Sequence, residues 1–284
     1  MKFARKRSIR TAYFDTNVYT RFYKRDGITE AGLQTLRTAV RSHKVSILLS
    51  ETVLDETLSA LKSNPDEALG RLEFTFDVSR WTQLIKSPAD LLEGEIRAYA
   101  AGRPSPSPFQ SVDSKLRGML MNQDPESRAG LLSVIRDEQD GIQKFKNELQ
   151  DIMDSKIAPL VKKVKEQNLQ QSFQEYMNVF EPEVAKSLAD LSGCLEECLA
   201  RGIQGLMSLR PVRICTYANI STDYARTYEG RSVNRGDSRD MHHAVLSSAA
   251  EVFITNDQRL IKTLMRDPPT GFEVMDPLTF LSQL

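Results

Sequence analysis

Short apolar segments alternate with amphipathic ones near the start of the chain. Residues 11–14 and 45–49 are apolar runs of the kind that predicts buried strands. Residues 33–43 place apolar side chains at helical spacing, and residues 52–62 return to that period after Ser50, a predicted helix cap. This alternation of strand and helix indicates an α/β domain with a parallel sheet.

The same alternation returns near the end of the chain. Residues 240–250 predict a helix with small and apolar residues on one face, and residues 251–254 predict a strand. Residues 258–265 predict a short helix, and residues 272–275 predict a last strand. Both ends of the chain are therefore expected to build the α/β domain.

The middle of the chain has a different pattern. Residues 103–108 (RPSPSP) form a Pro/Ser-rich break that cannot lie inside a helix. From about 131 to 180 the chain is polar with a helical period, which predicts a long hairpin or small bundle. We therefore expect a discontinuous α/β domain from residues 1–90 and 210–284, with a mainly α-helical insertion at 91–209.

Composition and charge narrow the class of protein. The 284 residues are 40% hydrophobic and 27% charged, as in ordinary globular proteins. Basic and acidic residues balance at 38 each, so the chain lacks a long-range basic field, although a local basic rim remains compatible with this sum. Three cysteines argue against a disulfide scaffold and fit a reducing compartment. Neither a membrane span nor a signal peptide is evident, so we expect a cytoplasmic protein with no membrane partner.

Four acidic residues stand where predicted strands end or where helices begin. Asp15 directly follows the first strand, and Asp257 follows the strand at 251–254. Glu56 lies within the helix after the second strand, and Asp240 opens the helix before the Asp257 strand. Because ligands of open parallel sheets bind beyond the carboxyl ends of the strands, these carboxylates are expected to meet in one cleft. Clustered carboxylates need a compensating cation, and hard oxygen ligands select Mg²⁺ or Mn²⁺.

Each acid also has a purely structural interpretation. Asp15 and Asp257 could cap the helices that follow them, and Asp237 has capping-box spacing to Asp240. Glu56 could be a solvated helix residue. The combination of these acids at strand ends favours a metal site over capping alone.

Several short motifs resemble those of PIN-domain nucleases. They are FDTNVY at 14–19, SETVLDE at 50–56, DSRDMHHAVLSSAA at 237–250 and FITND at 253–257. The resemblance covers roughly residues 10–85 and 212–280, and the insertion departs from it. It implies a three-layer α/β/α fold with a central parallel sheet, and a magnesium- or manganese-dependent endoribonuclease that hydrolyses RNA.

The resemblance also implies roles for particular residues. The catalytic and metal-binding quartet would be Asp15, Glu56, Asp240 and Asp257. Glu56 is preferred to Glu51 because its spacing from the strand matches the family. Accessory positions beside the quartet would be Asp237, Asn17, Thr255 and Asn256.

Basic residues close to these acids are candidates for binding the phosphodiester backbone of single-stranded or structured RNA, with ordinary surface charge as the alternative. They are Arg21, Lys24, Arg235 and Arg239. Tyrosines 13, 19 and 23 could stack on bases, but core packing is the favoured interpretation for most of them.

Other functions remain open from the sequence. The chain could be a catalytically inactive PIN-like scaffold that binds a protein partner through its helical insertion, or a nuclease acting on DNA. In either case it could form a homodimer. Its role could be that of a toxin in a toxin–antitoxin pair, a processing enzyme or a defence enzyme. A phosphatase of the haloacid-dehalogenase type is disfavoured because it needs an Asp where Asn17 stands.

A zinc site is disfavoured as well. It would combine Cys194 and Cys198 with His242 or His243, and adjacent histidines on a helix point in divergent directions.

Overall fold

A six-stranded sheet lies at the centre of the molecule, with strand order β4-β3-β2-β1-β5-β6. The structure is a computed structural model that describes residues 10–59, 64–112, 171–231 and 237–284, without side-chain detail at 237 and 238. The strands are β1 (Arg10–Phe14), β2 (Val45–Ser50), β3 (Arg80–Ile85), β4 (Phe109–Ser111), β5 (Val252–Ile254) and β6 (Glu273–Met275).

All neighbouring strands run parallel except the edge pair β3 and β4. From β1 the chain proceeds to β2 and β3 on one side, whereas β5 and β6 pair on the other side. The strand order therefore reverses between β1 and β5. Such a switch point leaves a crevice beyond the carboxyl ends of the two strands, which is the usual ligand position in open α/β sheets.

Helices cover both faces of the sheet. Consecutive side chains of a strand point to opposite faces. On one face the Phe14 ring stacks on that of Phe22 and is perpendicular to that of Phe280. On the other face Tyr13 lies against the ring of His243. All residues of β2 are buried, as expected of a parallel strand with helices on both sides.

The helices alternate with the strands in the first part of the chain and dominate the second part. They are α1 (Thr16–Lys24), α2 (Glu30–Arg41), α3 (Glu51–Ser59), α4 (Pro65–Val78), α5 (Pro88–Ala100), α6 (Phe173–Leu191), α7 (Leu195–Arg201), α8 (Arg210–Tyr228), α9 (Asp237–Leu246), α10 (Gln258–Leu264) and α11 (Pro277–Ser282). Short 3₁₀ helices occupy Ile203–Ser208 and Ser247–Ala249. The predicted mixed α/β class with a mainly parallel sheet is confirmed.

Polar side chains mark where several helices begin. The Thr29 hydroxyl accepts a hydrogen bond from the Gly32 backbone at the start of α2. The Val53 backbone N–H donates to Ser50 Oγ over 3.3 Å, in agreement with the capping role predicted for Ser50. These bonds satisfy backbone donors that the first turn of a helix leaves unpaired.

The range predicted as an insertion is mainly helical where the structure describes it. Helices α6 and α7 share a small second core with α5 and α8, in which Ile96, Ala189, Cys198 and Leu206 are buried. Strand β4 also falls in this range, yet it extends the sheet. Residues 113–170, which carry most of the predicted helical hairpin, lie outside the described residues, and the division into domains stays a prediction. In the described part of the chain, no helix has the length and apolarity needed to cross a membrane.

Candidate functional site

Asp15 occupies the switch point, directly after β1. Its backbone N–H donates to the Ile254 carbonyl of β5, and its side chain caps α1 by accepting the Val18 N–H at Oδ1 over 2.8 Å. The Thr255 hydroxyl donates to the other oxygen, Oδ2, over 2.5 Å. Asp15 is only 5% exposed. The capping interpretation is therefore correct for Asp15, but it uses one carboxylate oxygen only.

Glu56 lies in α3 and faces the same region. Its Oε2 accepts a hydrogen bond from the Thr16 hydroxyl and lies 3.4 Å from His243 Nε2. Its Oε1 lies 3.8 Å from the guanidinium of Arg239. The competing residue Glu51 is exposed and accepts a hydrogen bond from the Gln110 side chain instead. Of the two glutamates, Glu56 therefore belongs to the site.

His243 connects α9 to β1 and α3. The imidazole is buried, with Nδ1 2.8 Å from the Tyr13 hydroxyl and Nε2 directed at Glu56. Asp240 lies three residues earlier on α9, a spacing that puts both side chains on one side of the helix. The carboxylate of Asp240 lies 3.6 Å from the guanidinium of Arg231.

The charges of these groups are coupled. Burial would lower the pKa of His243, but its hydrogen bond to Glu56 and the negative charges of Glu56 and Asp15 raise it overall. The charge of Asp240 acts in the same direction. Asp15, Glu56 and Asp240 therefore lie within electrostatic range of one imidazole.

The two central carboxyl groups respond differently to this environment. Burial raises the pKa of Asp15, and the His243 charge and the hydrogen bond from Thr255 only partly offset that effect. Burial also acts to raise the pKa of Glu56, but the hydrogen bond and charge of His243 outweigh it and lower the pKa. Glu56 is therefore the well-stabilised carboxylate, and Asp15 carries the larger cost of ionisation.

Asp257 takes a different position from the other three predicted acids. Its carboxylate caps α10 by accepting the Arg259 and Leu260 backbone N–H groups over 2.8 and 3.0 Å. Its own N–H donates to Thr255 Oγ1 over 3.2 Å, so one hydroxyl connects Asp15 to the Asp257 backbone. Asp257 is therefore linked to Asp15 through Thr255, whereas Asp15, Glu56 and Asp240 act electrostatically on His243. That the four acids meet in one cleft stays a prediction.

A shallow depression of about 460 Å³ lies on the Asp257 side of the switch point. Its lining is Asn17, Thr20, Arg21, Lys24, Asp26, Asn256, Asp257, Gln258 and Arg259. Tyr13 and Glu56, whose side chains bond to His243, do not line it. The depression combines cationic, amide and carboxylate groups, and it borders the first turn of α1 just as the His243 cluster does.

The predicted accessory residues divide between these two surfaces. Thr255 supports Asp15 directly, as predicted. Asn17 is exposed and lines the depression together with Asp257, while the preceding residue Thr16 donates to Glu56. Its predicted supporting role stays a prediction. Asn256 accepts a hydrogen bond from Arg21. Asp237 is the first residue of α9, and its side chain lies outside the described residues.

The predicted backbone-binding residues are in part already engaged. Arg21 donates to the Asp26 carbonyl over 2.8 Å in addition to Asn256, and Lys24 forms an ion pair with Glu67 at 2.8 Å. Arg239 is exposed beside Glu56. Arg235 lies outside the described residues. Arg21 and Arg239 therefore place cationic groups in the depression and beside Glu56, respectively.

Some residues of the site were not predicted from the sequence. Tyr13, His243 and Thr16 all bond within it, and Tyr13 and Tyr19 are buried as core packing predicted. The spacing of His243 from Asp240, one helical turn along α9, was the available signal.

The carboxylate oxygens are of the kind that binds a divalent metal ion, but their arrangement in this structure does not form a metal site. Within the described ranges, no three His, Cys, Asp or Glu side chains stand close enough together to hold a metal ion as they are, and this also applies to the disfavoured zinc set. Anionic oxygens are nevertheless the ligands that Mg²⁺ and Mn²⁺ prefer. A cation would also offset the burial that raises the pKa of Asp15.

The chain was compared with protein-family models, curated proteins and solved structures, and none of them matches it.

Proposed function

We propose that this protein is a magnesium- or manganese-dependent endoribonuclease of the PIN-like type. One observation carries the proposal. Carboxylates from three separate elements act on one buried imidazole at the switch point of a mainly parallel sheet: Glu56 contacts it, and Asp15 and Asp240 lie within electrostatic range of it. Like charges in a partly buried position are costly unless a cation compensates them, and functional sites are where such arrangements concentrate.

The residues that would hold the metal are Asp15, Glu56 and Asp240, joined by Asp257 across Thr255. When bound, the ion would supply a Lewis acid for the phosphodiester and would lower the pKa of a bound water molecule. Thr255 fixes the Asp15 carboxylate, and Thr16 and His243 fix that of Glu56.

Arg239 and Arg21 would bind the RNA backbone. Arg239 is exposed beside Glu56, and Arg21 contributes to the depression beside Asp257. Phosphate contacts of this kind position a nucleic acid without selecting its sequence. The proposed substrate is therefore RNA whose backbone passes from the depression to the carboxylates.

The test is cleavage of single-stranded RNA, structured RNA and single-stranded DNA with Mg²⁺, Mn²⁺ or EDTA. We expect metal-dependent cleavage of RNA and a loss of at least ~100-fold in Asp15→Asn. Asp276→Asn is the matched control, because Asp276 also follows a strand and caps the next helix but lies at the end of β6. Cleavage of DNA alone would favour the DNA nuclease instead. A wild-type protein that cuts neither would favour the inactive scaffold. An Asp15→Asn protein as active as the Asp276→Asn control would refute a site built on Asp15.

A further inference from the structure

We infer that the depression lined by α1 and α10 binds one unpaired nucleobase, and that its polar groups suit guanine better than the other bases. This inference rests on the proposed function for its RNA substrate. The observation behind it is that the lining presents hydrogen-bond acceptors as well as donors. Two carboxylates, those of Asp26 and Asp257, and three amide side chains lie beside three cationic ones.

A backbone phosphate alone does not account for this lining. An ionised phosphate carries only acceptors, so a site built for phosphate offers donors and positive charge. The carboxylates of the depression would repel a second phosphate. A nucleobase, in contrast, carries donors and acceptors along its edges. The volume of about 460 Å³ also lies within the range of roughly 300–1,000 Å³ that is usual for small-ligand sites. The mixed lining therefore favours a base attached to the phosphate that Arg21 would bind.

The Arg21 guanidinium is held in place by two neutral oxygens. Its Nε donates to the Asp26 carbonyl over 2.8 Å, and its Nη1 donates to the amide oxygen of Asn256. A guanidinium has five N–H donors, so its charge and further donors stay available to a backbone phosphate. The bond to Arg21 also orients the Asn256 amide. With its oxygen engaged, Asn256 presents its NH₂ group, which is a donor, to a ligand.

Asp26 is placed by a tight turn at the end of α1. Its N–H donates to the Arg21 carbonyl over 3.0 Å, and its own carbonyl accepts from the Arg21 side chain. The neighbouring residues Arg25 and Gly27 both adopt positive φ, of 56° and 65°. The backbone of Asp26 is therefore fixed against Arg21, while its side chain is exposed in the lining of the depression.

Guanine is the base that these groups match best. Its Watson–Crick edge carries the O6 acceptor next to two donors, N1–H and the N2 amino group. A carboxylate accepts from both donors at once, which Asp26 would do, and an amide N–H donates to O6, which Asn256 would do. Uracil offers a single donor. In a duplex this edge of guanine is already paired, so the inference requires an unpaired guanosine.

A base in the depression would lie close to the acids of the proposed nuclease site. Asp257 lines the depression, and its backbone N–H donates to the Thr255 hydroxyl oxygen. The same hydroxyl donates to Asp15. Binding of guanine there would therefore direct cleavage to phosphodiester bonds near an unpaired guanosine.

The test measures the binding of short fluorescent RNAs by anisotropy in EDTA, so that neither a metal ion nor cleavage contributes. The ionic strength is held constant because phosphate contacts depend on salt. The probes are an oligouridine and three versions of it with a single guanosine, adenosine or cytidine at the same position. We expect the wild type to bind the guanosine probe about 10-fold more tightly than the oligouridine, since a bidentate base contact contributes a factor of this order.

A matched pair of variants separates base recognition from general charge. Asp26→Asn should bring the guanosine probe to within about 2-fold of the oligouridine, because loss of a base contact relaxes specificity. Asp190→Asn is the control. It also removes one exposed carboxylate, but Asp190 lies on α6 and does not line the depression. Asp190→Asn should keep the preference of the wild type.

The outcomes distinguish this inference from the proposed function. If RNA is cut with Mg²⁺ or Mn²⁺ but all four probes bind equally, only the guanine subsite is overturned. If Asp26→Asn abolishes a guanosine preference but no metal ion supports cleavage, the nuclease proposal is wrong and the subsite stands. A preference for another base, or one that Asp26→Asn retains, would overturn the subsite. If the wild type neither binds nor cuts RNA, both are wrong.

Discussion

Asp15 and Asp276 are chemically alike and occupy equivalent local positions, yet their surroundings act on them in opposite directions. Both directly follow a strand and cap the next helix. Burial raises the pKa of Asp15 overall. For Asp276, burial also acts to raise the pKa, but hydrogen bonds from Thr279 and Leu278 outweigh it and lower the pKa. A capping role alone does not bury a carboxylate, so Asp15 incurs a cost that Asp276 avoids.

This difference in pKa predicts that removing the charge of Asp15 and removing that of Asp276 change the stability of the protein in opposite directions. Because the folded-state pKa of Asp15 lies above its ordinary value of 3.8, its contribution to stability is full below that value and is lost as the pH rises through the folded-state pKa. Without added metal, Asp15→Asn should therefore be more stable than the wild type at neutral pH, with an advantage that vanishes on acidification. The asparagine can still accept from Val18 and donate to Thr255. Urea denaturation from about pH 4 to about pH 8 measures the effect.

Asp276→Asn is the control with the reverse sign. The lowered pKa of Asp276 means that its contribution is present at neutral pH and lost as the pH falls. Asp276→Asn should therefore be less stable than the wild type at neutral pH. If Asp15→Asn and Asp276→Asn lost stability in parallel across the pH range, the unfavourable burial of the Asp15 charge would be refuted.

At the scale of elements, the sequence predicted those strands whose apolar character comes from burial on both faces. β1, β2, β5 and β6 have such runs and were predicted within a residue or two of their bounds. β3 was not predicted, because Arg80, Thr82 and Gln83 are exposed near the edge of the sheet and interrupt the apolar pattern. β4 has only three residues, too few for a periodic signal.

Helix α8 was not predicted from the sequence either, although it is largely buried. It packs against α5, α6, α9 and α10, so it is enclosed on several sides, and buried positions include Thr216, Ser221 and Thr222. A helix without a distinct polar face lacks the amphipathic pattern by which surface helices are recognised.

In the candidate site, as in the fold, the sequence predicted some features and missed others. The acids were predictable because topology brings strand ends to one edge of the sheet. The contacts of His243 were not, because Tyr13 and Glu56 lie 230 and 187 residues away in the sequence. No local pattern encodes a contact between such distant residues.

The packing of α5 against the following elements gives a prediction at this scale. The Tyr99 hydroxyl of α5 donates to the Gly202 carbonyl over 2.8 Å, and a Cβ added to Gly205 would lie 2.0 Å from that hydroxyl oxygen. Gly205→Ala should therefore lower the free energy of unfolding by about 1–3 kcal/mol through overpacking.

A double-mutant cycle checks the cause. Tyr99→Ala removes the ring, so the double variant should be destabilised by less than the sum of the single variants, with a coupling of ~1 kcal/mol in urea denaturation. Additive effects would mean that the cost at Gly205 arises from the backbone and not from its contact with Tyr99.

For the whole molecule, Asp15 is linked to two groups of charged side chains, electrostatically to His243 and through Thr255 to Asp257 of the depression. The first group includes Glu56 and Asp240, and the second includes Arg21 and Lys24. Both groups combine charges of opposite sign, because Arg231 and Arg239 accompany the acids, and Asp26 and Asp257 accompany the cations of the depression. In the proposed function, a metal ion would bind at the acids and a phosphate backbone at Arg21.

The unfavourable burial of the Asp15 charge and the proposed binding of a metal ion there together give a prediction about the stability of the entire protein. A ligand that binds only the folded state stabilises it by about 2.7 kcal/mol at a concentration 100 times its Kd. Mn²⁺ in that excess should therefore raise the free energy of unfolding of the wild type and of Asp276→Asn, but not that of Asp15→Asn. The order of stability should reverse on adding metal, because Asp15→Asn starts higher without it. Monovalent salt at equal ionic strength controls for screening of surface charges. An equal gain in all three proteins would show that Mn²⁺ binds elsewhere, because only a site that includes the buried carboxylate makes its stabilisation depend on Asp15.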